Sequence, residues 1–290
     1  MTVPEGDTVF RQCRILHEAL AGAVLTRAEL RVPRHAEADL VGWSVQEVLP
    51  RGKHLLMRLL PPADRPQAPL TLHSHLMMDG IWFVDEKPLI SSDTSAQRRA
   101  PHTARAILEA RRADGSITRA VGYDIKMVHL LRTQDEHLEV GHLGPDLLDP
   151  DWDEDLREEA VANLRAQAHL PLGQALLDQR VMAGIGNIYR SELCFLQRIS
   201  PFAPTARLQD PGALVDLAHR LLSVNADRTV RVTTGGMMGR DGDLWVYGRA
   251  GRPCRRCHGR IARQMMAQPD VEGAQPRPVF LCPRCQAGAR

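Results

Sequence analysis

At 290 residues the chain is long enough for two domains and a sizeable core, and it is almost neutral, with 37 Lys and Arg against 35 Asp and Glu. No signal peptide is evident, no apolar run is long enough to span a bilayer, and six Cys in a chain of this composition do not suggest a disulfide scaffold. Membrane-embedded and disulfide-stapled secreted classes are therefore set aside, and a cytoplasmic protein without membrane partners is expected.

The charge is unevenly placed. Residues 228–290 hold 12 Arg and 4 acids, a balance of +8, whereas residues 134–161 hold 11 acids against Arg157 alone. A basic C-terminal block on a nearly neutral protein suggests a patch for polyanions, although a solvated Arg-rich face reads the same way. Lys53, Lys87 and Lys126 are the three lysines, a bias that fits GC-rich coding.

Pro4-Glu5-Gly6-Asp7 opens the pattern. It reads either as the first turn of a helix, where proline is favoured, or as a proline amine set beside a carboxylate. A free N-terminal proline is a secondary amine that can attack an electrophilic sugar carbon. Thr8–Ala21 follows as a helix, with Val9, Cys13, Leu16 and Leu20 on one apolar stripe and Gly22 ending it. Short strands are predicted at 23–32, 44–49, 54–60, 70–76, 80–84, 103–109, 117–121 and 126–131, with a polar loop at 91–102. One helix and about eight strands predict an α+β N-terminal domain built as a two-layer β-sandwich. His73 and His75 read as strand and loop residues rather than ligands.

An acidic linker over 134–152 leads to predicted helices at 153–167, 171–179, 187–197 and 210–226. The division read from the sequence is 1–133, linker 134–152, helical 153–236 and a cysteine-bearing tail 237–290. In the helical part, Gly184-Ile185-Gly186-Asn187 makes a tight turn into a helix. Two glycines let backbone approach a ligand, and a helix start binds phosphate. A dinucleotide fingerprint is not supported, because no strand precedes the turn and the third glycine is missing.

In the tail, Cys254-x2-Cys257 and Cys282-x2-Cys285 are separated by 24 residues. Two thiolate pairs on tight turns predict a tetrahedral site for structural Zn²⁺, with a β-hairpin between them carrying arginines suited to phosphate.

These pieces, in this order, resemble the formamidopyrimidine-DNA glycosylase / endonuclease VIII family of base-excision repair enzymes. The resemblance covers nearly the whole chain and rests on Pro4-Glu5-Gly6-Asp7, Arg51-Gly52-Lys53, His75-Leu76-Met77-Met78-Asp79-Gly80, Ala183–Tyr189, and the four Cys preceded by Val246-Tyr247-Gly248-Arg249. It implies a two-layer β-sandwich domain, a helical domain with a helix–two-turns–helix motif, and a zinc-finger hairpin, with DNA bound in the cleft between domains. By the same resemblance, Pro4 matches the nucleophile that attacks C1′ and Glu5 the carboxylate that moves protons. Lys53 matches a phosphate-contacting lysine needed for base release, and Asn187 and Arg277 match phosphate-gripping residues. Met77 and Met78 match side chains that fill the stack left by a flipped nucleotide; a buried hairpin turn is the other reading of that pair.

Asp7-Thr8-Val9, the short 235–246 connection and Val121-Gly122-Tyr123-Asp124-Ile125-Lys126 in place of a purine-branch wedge favour the endonuclease VIII branch. The implied function is a monomeric bacterial enzyme, associated with the nucleoid, that removes oxidised pyrimidines and cleaves abasic sites by β,δ-elimination. Duplex and single-stranded damaged DNA are both open as partners. The alternatives are a non-catalytic damage-binding protein and a lyase confined to abasic sites or single-stranded lesions. As numbered, Pro4 is acylated by Val3. The expectation is initiation at the Val3 codon, read as Met and then removed, which leaves Pro4 as a free amine.

Overall fold

A computed structural model describes residues 4–85, 87–88, 99–235, 243–268 and 275–286. The expected release of residues 1–3, most of the polar 91–102 loop, the short connection after Gly235 and the tip of the C-terminal hairpin lie outside the described residues. The chain divides into two compact units, Met1–His142 and Leu143–Arg290, so the division falls inside the stretch read as an acidic linker.

The first unit begins with α1 (Gly6–Leu20), whose stripe of Val9, Cys13, Leu16 and Leu20 is buried. Among the described residues nine antiparallel strands follow: β1 (Val24–Leu30), β2 (Ser44–Arg51), β3 (His54–Leu60), β4 (Leu70–His75), β5 (Ile81–Val84), β6 (Lys87–Pro88), β7 (Ala104–Arg111), β8 (Ile117–Tyr123) and β9 (Met127–Arg132). Their order is β6-β5-β8-β7-β1-β2-β3-β4-β9. β1 and β2 meet in register at Val24 and Ser44, whereas β1 runs alongside β7 from Val24–Arg111 to Leu30–Ala106. The joint lets the two halves fold face to face. Leu25, Leu108 and Ala120 from one half share a core with Val45, Leu55, Met57 and Leu72 from the other, and α1 caps it. This is the expected two-layer sandwich.

A short helix not foreseen in the linker, α2 (Glu136–Val140), closes the unit. Arg58 on β3 donates from Nε and Nη2 to the two Glu136 oxygens at 2.9 and 2.7 Å, and Thr71 on β4 donates its hydroxyl to Glu136 at 2.5 Å. The guanidinium fork and the hydroxyl together engage both Glu136 oxygens, so α2 is fixed to the sheet by tertiary bonds rather than by its own length.

The second unit holds α3 (Glu154–Ala166), α4 (Leu172–Ala175), α5 (Asn187–Leu196), α6 (Pro211–Ala226) and a hairpin of β10 (Ala262–Met266) and β11 (Arg277–Leu281). Asp153 and Asp210 cap α3 and α6 by accepting from Leu156 and Ala213 amides. Arg157 on α3 forks onto Asp216 on α6 at 2.6 and 3.0 Å. The helix expected over 171–179 ends at Ala175, because Gln179 and Asp178 turn their side chains onto backbone groups of the following loop. Among the described residues no helix is long and apolar enough to cross a membrane.

Candidate active site and nucleic-acid interface

The direction of α1 relative to β2 decides where its start lies. The Gly22 amide donates to Val45 carbonyl at 2.8 Å and the Val48 amide to His17 Nδ1 at 3.1 Å, so the end of α1 meets the start of β2 and the two run antiparallel. From His17 back to Glu5 the helix rises about 18 Å. From Val48 to Arg51 the strand advances about 10 Å, and the turn that holds Lys53 follows at once. Pro4-Glu5 and Lys53 are thus delivered to the same end of the sandwich.

Glu5 is the N-cap of α1 and is fully buried; its carbonyl accepts from the Thr8 and Val9 amides. The positive end of the helix dipole favours a carboxylate there. Pro4, buried beside it, precedes the helix. Lys53 lies with Gly52 in the two-residue turn between Arg51 and His54. Gly52 takes φ +58°, the left-handed first corner of a tight hairpin that a side chain would strain. Burial, then the neighbouring His75 and His73, push His54 down to about 2, so the imidazole beside Lys53 stands neutral.

β3 and β4 pair His54 with His75, which carries the chain on to Met77-Met78 at this same end. Met77 has φ +53°, its amide donates to His75 Nδ1 at 3.0 Å, and the Gly80 amide closes the turn on Leu76 carbonyl at 2.8 Å. The two methionines are 42% and 39% exposed, so core packing does not account for them. Lys126 pairs with Asp79 beneath them at 3.8 Å, and with Arg31, Arg99 and Arg105 lines a pocket of about 580 Å³.

In the second unit, Gly184 (φ +107°) donates its amide to Gln179 Oε1 at 3.1 Å, and Gln179 Nε2 donates to Ile185 carbonyl at 3.0 Å. One side chain thus shapes the turn before α5. The N-cap of that helix is Gly186, which has no side chain of its own to offer. Asn187, its first residue, donates Nδ2 to Pro278 carbonyl at 2.8 Å and accepts from Arg190 on Oδ1. Asn187 is therefore adjacent to Arg277, the exposed first residue of β11.

The four cysteines cluster as the spacing predicts. Cys254 and Cys285 sulfurs are 3.8 Å apart, Cys257 and Cys282 3.4 Å, and all four ligand atoms lie within 4.8 Å of one another. A tetrahedron with metal–sulfur bonds of about 2.3 Å has edges of about 3.8 Å, so the set fits a tetrahedral thiolate-bound ion. The Gly259 amide lowers the Cys257 thiol, while burial raises those of Cys282 and Cys285. The knuckles are docked on α5: Phe195, Val246, Ile261 and Phe280 pack with Cys254 and Cys282, and Gln286 links the Cys282 amide to Ile199 carbonyl.

Pro4, Glu5, Lys53, Met77 and Met78 are thus brought to one end of the first unit, and Asn187, Arg277 and the cysteines together in the second. Sequence reasoning missed Glu192. Fully buried on α5, it accepts from Trp245 amide on Oε2 at 2.8 Å, from Val246 and Tyr247 amides on Oε1 at 2.8 and 2.9 Å, and from the Thr233 hydroxyl. The signal was its place among buried neighbours in Asn187–Leu196, where Arg190 is engaged with Asn187 and a buried acid needs other donors.

The pattern for the formamidopyrimidine-DNA glycosylase N-terminal domain matches residues 3–122, and that for the formamidopyrimidine-DNA glycosylase H2TH domain matches residues 143–235. With the sandwich, the Gly-turn-helix and the cysteine knuckles in one chain, it belongs to the formamidopyrimidine-DNA glycosylase family. It is 49% identical over 288 residues to the probable endonuclease 8 2 of Streptomyces coelicolor, covering 99% of this chain and 95% of that one. It is 44% identical over 288 residues to the DNA-(apurinic or apyrimidinic site) lyase Nei2 of Mycolicibacterium smegmatis, covering 99% and 100%. In fold it is similar to Lactococcus lactis Fpg in complex with an abasic site containing DNA, with a TM-score of 0.72 and 22% identity over 98% of this chain and 99% of that one.

Proposed function

We propose that the protein is a base-excision repair DNA glycosylase of the endonuclease VIII branch that removes oxidised pyrimidines and cleaves abasic sites. The observation that carries the reading is the delivery of Pro4-Glu5 and the Lys53 turn to one end of the sandwich. The names of relatives at 49% and 44% identity support it and favour this branch. Damaged DNA, duplex or single-stranded, is the partner, the protein acts as a monomer at the nucleoid, and a structural Zn²⁺ on Cys254, Cys257, Cys282 and Cys285 stiffens the finger.

The chemistry needs Pro4 as a chain end. Its secondary amine attacks C1′, the C1′–base bond breaks, and sugar-ring opening leaves a C1′=N iminium on Pro4. Glu5, held at the helix start, passes protons during ring opening and elimination. The iminium acidifies C2′, and loss of that proton expels the 3′ phosphate; a second elimination releases the 5′ phosphate. A flipped nucleotide costs a few kcal/mol, which phosphate contacts from Lys53, Asn187 and Arg277 offset. Met77 and Met78 fill the vacated stack.

The test is borohydride trapping on abasic-site DNA. Protein beginning at Pro4 should be reductively cross-linked, protein beginning at Met1 should not, and Pro4→Gly should weaken trapping sharply. Glu5→Gln should bind DNA nearly normally while releasing base slowly. Equal trapping of both starts would refute the proline iminium, and absence of trapping in every form would favour a non-catalytic damage-binding protein.

A further inference from the structure

The first unit contains a group of donors that the reaction above does not use. His73 on β4 is fully buried, and its Nδ1 has no hydrogen-bond partner among the described residues. That atom lies 3.6 Å from Glu139 Oε2 on α2, and His129 Nδ1 on β9 lies 3.4 Å from Glu139 Oε1. Ligand atoms of the three residues all fall within 4.8 Å of one another. Bonds of about 2.0–2.1 Å to nitrogen and oxygen give tetrahedral edges of about 3.3 Å; the 3.6 and 3.4 Å separations end on different oxygens of Glu139, so the carboxylate lies between the two imidazoles with one oxygen toward each. The neighbouring carboxylate on α2, Glu136, is committed to Arg58 and Thr71, which leaves Glu139 for the imidazoles.

The rest of the environment suits coordination. His73 Nε2 is 2.8 Å from His54 Nδ1. With a cation on Nδ1, His73 must carry its proton on Nε2 and donate it to His54. This is the outer hydrogen bond that orients a metal-bound imidazole and fixes its tautomer. An uncoordinated His73 leaves a buried polar nitrogen without a hydrogen bond, a cost of about 1–3 kcal/mol that a bound ion removes.

We infer that His73 Nδ1, His129 Nδ1 and Glu139 form a divalent-cation site in the sandwich unit, separate from the cysteine knuckles. Two imidazoles and one carboxylate suit Zn²⁺, with water in the fourth position. The ion would pin α2 to β4 and β9, and through the His73–His54 bond it reaches the residue after Lys53.

The experiment is calorimetric titration of ZnCl₂ into the full chain with its cysteine knuckles already loaded. One further ion should bind per chain, and His129→Ala and Glu139→Gln, both at partly exposed positions, should each weaken it by about tenfold or more. His137→Ala, an α2 histidine whose Nδ1 is near Gln134 carbonyl, should leave binding unchanged. In the loaded protein, Co²⁺ should add visible bands without thiolate charge transfer, and these should disappear in the Glu139 variant. Circular dichroism of each variant confirms that it is folded. No additional ion, or binding equally strong in both ligand variants, overturns the site.

Discussion

Glu192→Gln tests whether one carboxylate holds the segment before the knuckles against α5. In the wild type, Oε1 takes the Val246 and Tyr247 amides, and Oε2 takes the Trp245 amide and the Thr233 hydroxyl. A glutamine with its carbonyl at Oε1 keeps the first two bonds, but loses the charge that strengthens them. Its amide group at the other position faces the Trp245 N–H donor to donor, while the Thr233 hydroxyl can reverse and accept. The orphaned buried amide costs about 1–3 kcal/mol, and weakening two charge-assisted bonds adds about 1 kcal/mol. The expected loss is therefore about 3 kcal/mol, local to this segment. Hydrogen exchange by mass spectrometry over 243–250 should show exchange faster by on the order of a hundredfold, with α1 and β3 amides unaffected. Exchange within about threefold of wild type would refute Glu192 as the anchor.

Cys282→Ser should lose the structural metal and weaken DNA binding, as read by elemental analysis and a binding titration; wild-type protein that binds DNA with no zinc would contradict this. Lys53→Ala and Arg277→Ala should each reduce the slope of log affinity against log salt by about one unit, similarly across DNA sequences. An unchanged slope would remove that residue from the phosphate backbone. Glu136 is buried, which alone would raise its pKa, but hydrogen bonds from Arg58 and Thr71 and the Arg58 charge hold it below its ordinary 4.5. Its contribution is present above that value and lost as pH falls through the folded value. Glu136→Gln should lower stability at neutral pH by about 1–2 kcal/mol and flatten the acid-side loss in chemical melts. An unaltered acid limb would place the linkage elsewhere.

Elements whose signal is local were legible in the sequence. The α1 stripe, the alternating strands and the helical patterns of α3 and α6 need no knowledge of distant partners, and each was read within a few residues of its observed bounds. The two-residue β6 and the five-residue α2 were not legible, because neither carries enough periodicity to be seen. α2 exists through Arg58 and Thr71, more than sixty residues earlier in the chain, while its own five residues, Glu136-His137-Leu138-Glu139-Val140, sit in an acidic stretch that reads as a linker. The cysteine tetrad was visible because metal spacing is written along the chain. Asn187 was singled out for its place at a glycine turn, but its bond to Pro278 joins residues that no pattern links. The pairing of β1 with β7, far apart in the chain, is of the same kind. His73 read as an ordinary strand residue, which it is; its relation to His129 and Glu139 appears once β4, β9 and α2 are assembled.

The bonds from Asn187 to Pro278 carbonyl and from the Phe280 amide to Ser191 Oγ join hairpin to helix, and Glu192 ties 245–247 to the same helix. Three attachments on one helix remove hinge motion, so the helix start and the β11 arginine present a fixed span. A rigid span behaves as a caliper. A polyanion whose charges already match it seats without adjustment, and one whose charges do not must deform to fit. Duplexes weakened by a lesion or a missing base bend at lower cost than intact ones, so under the proposed function a span of this kind would select by compliance, before any base is inspected.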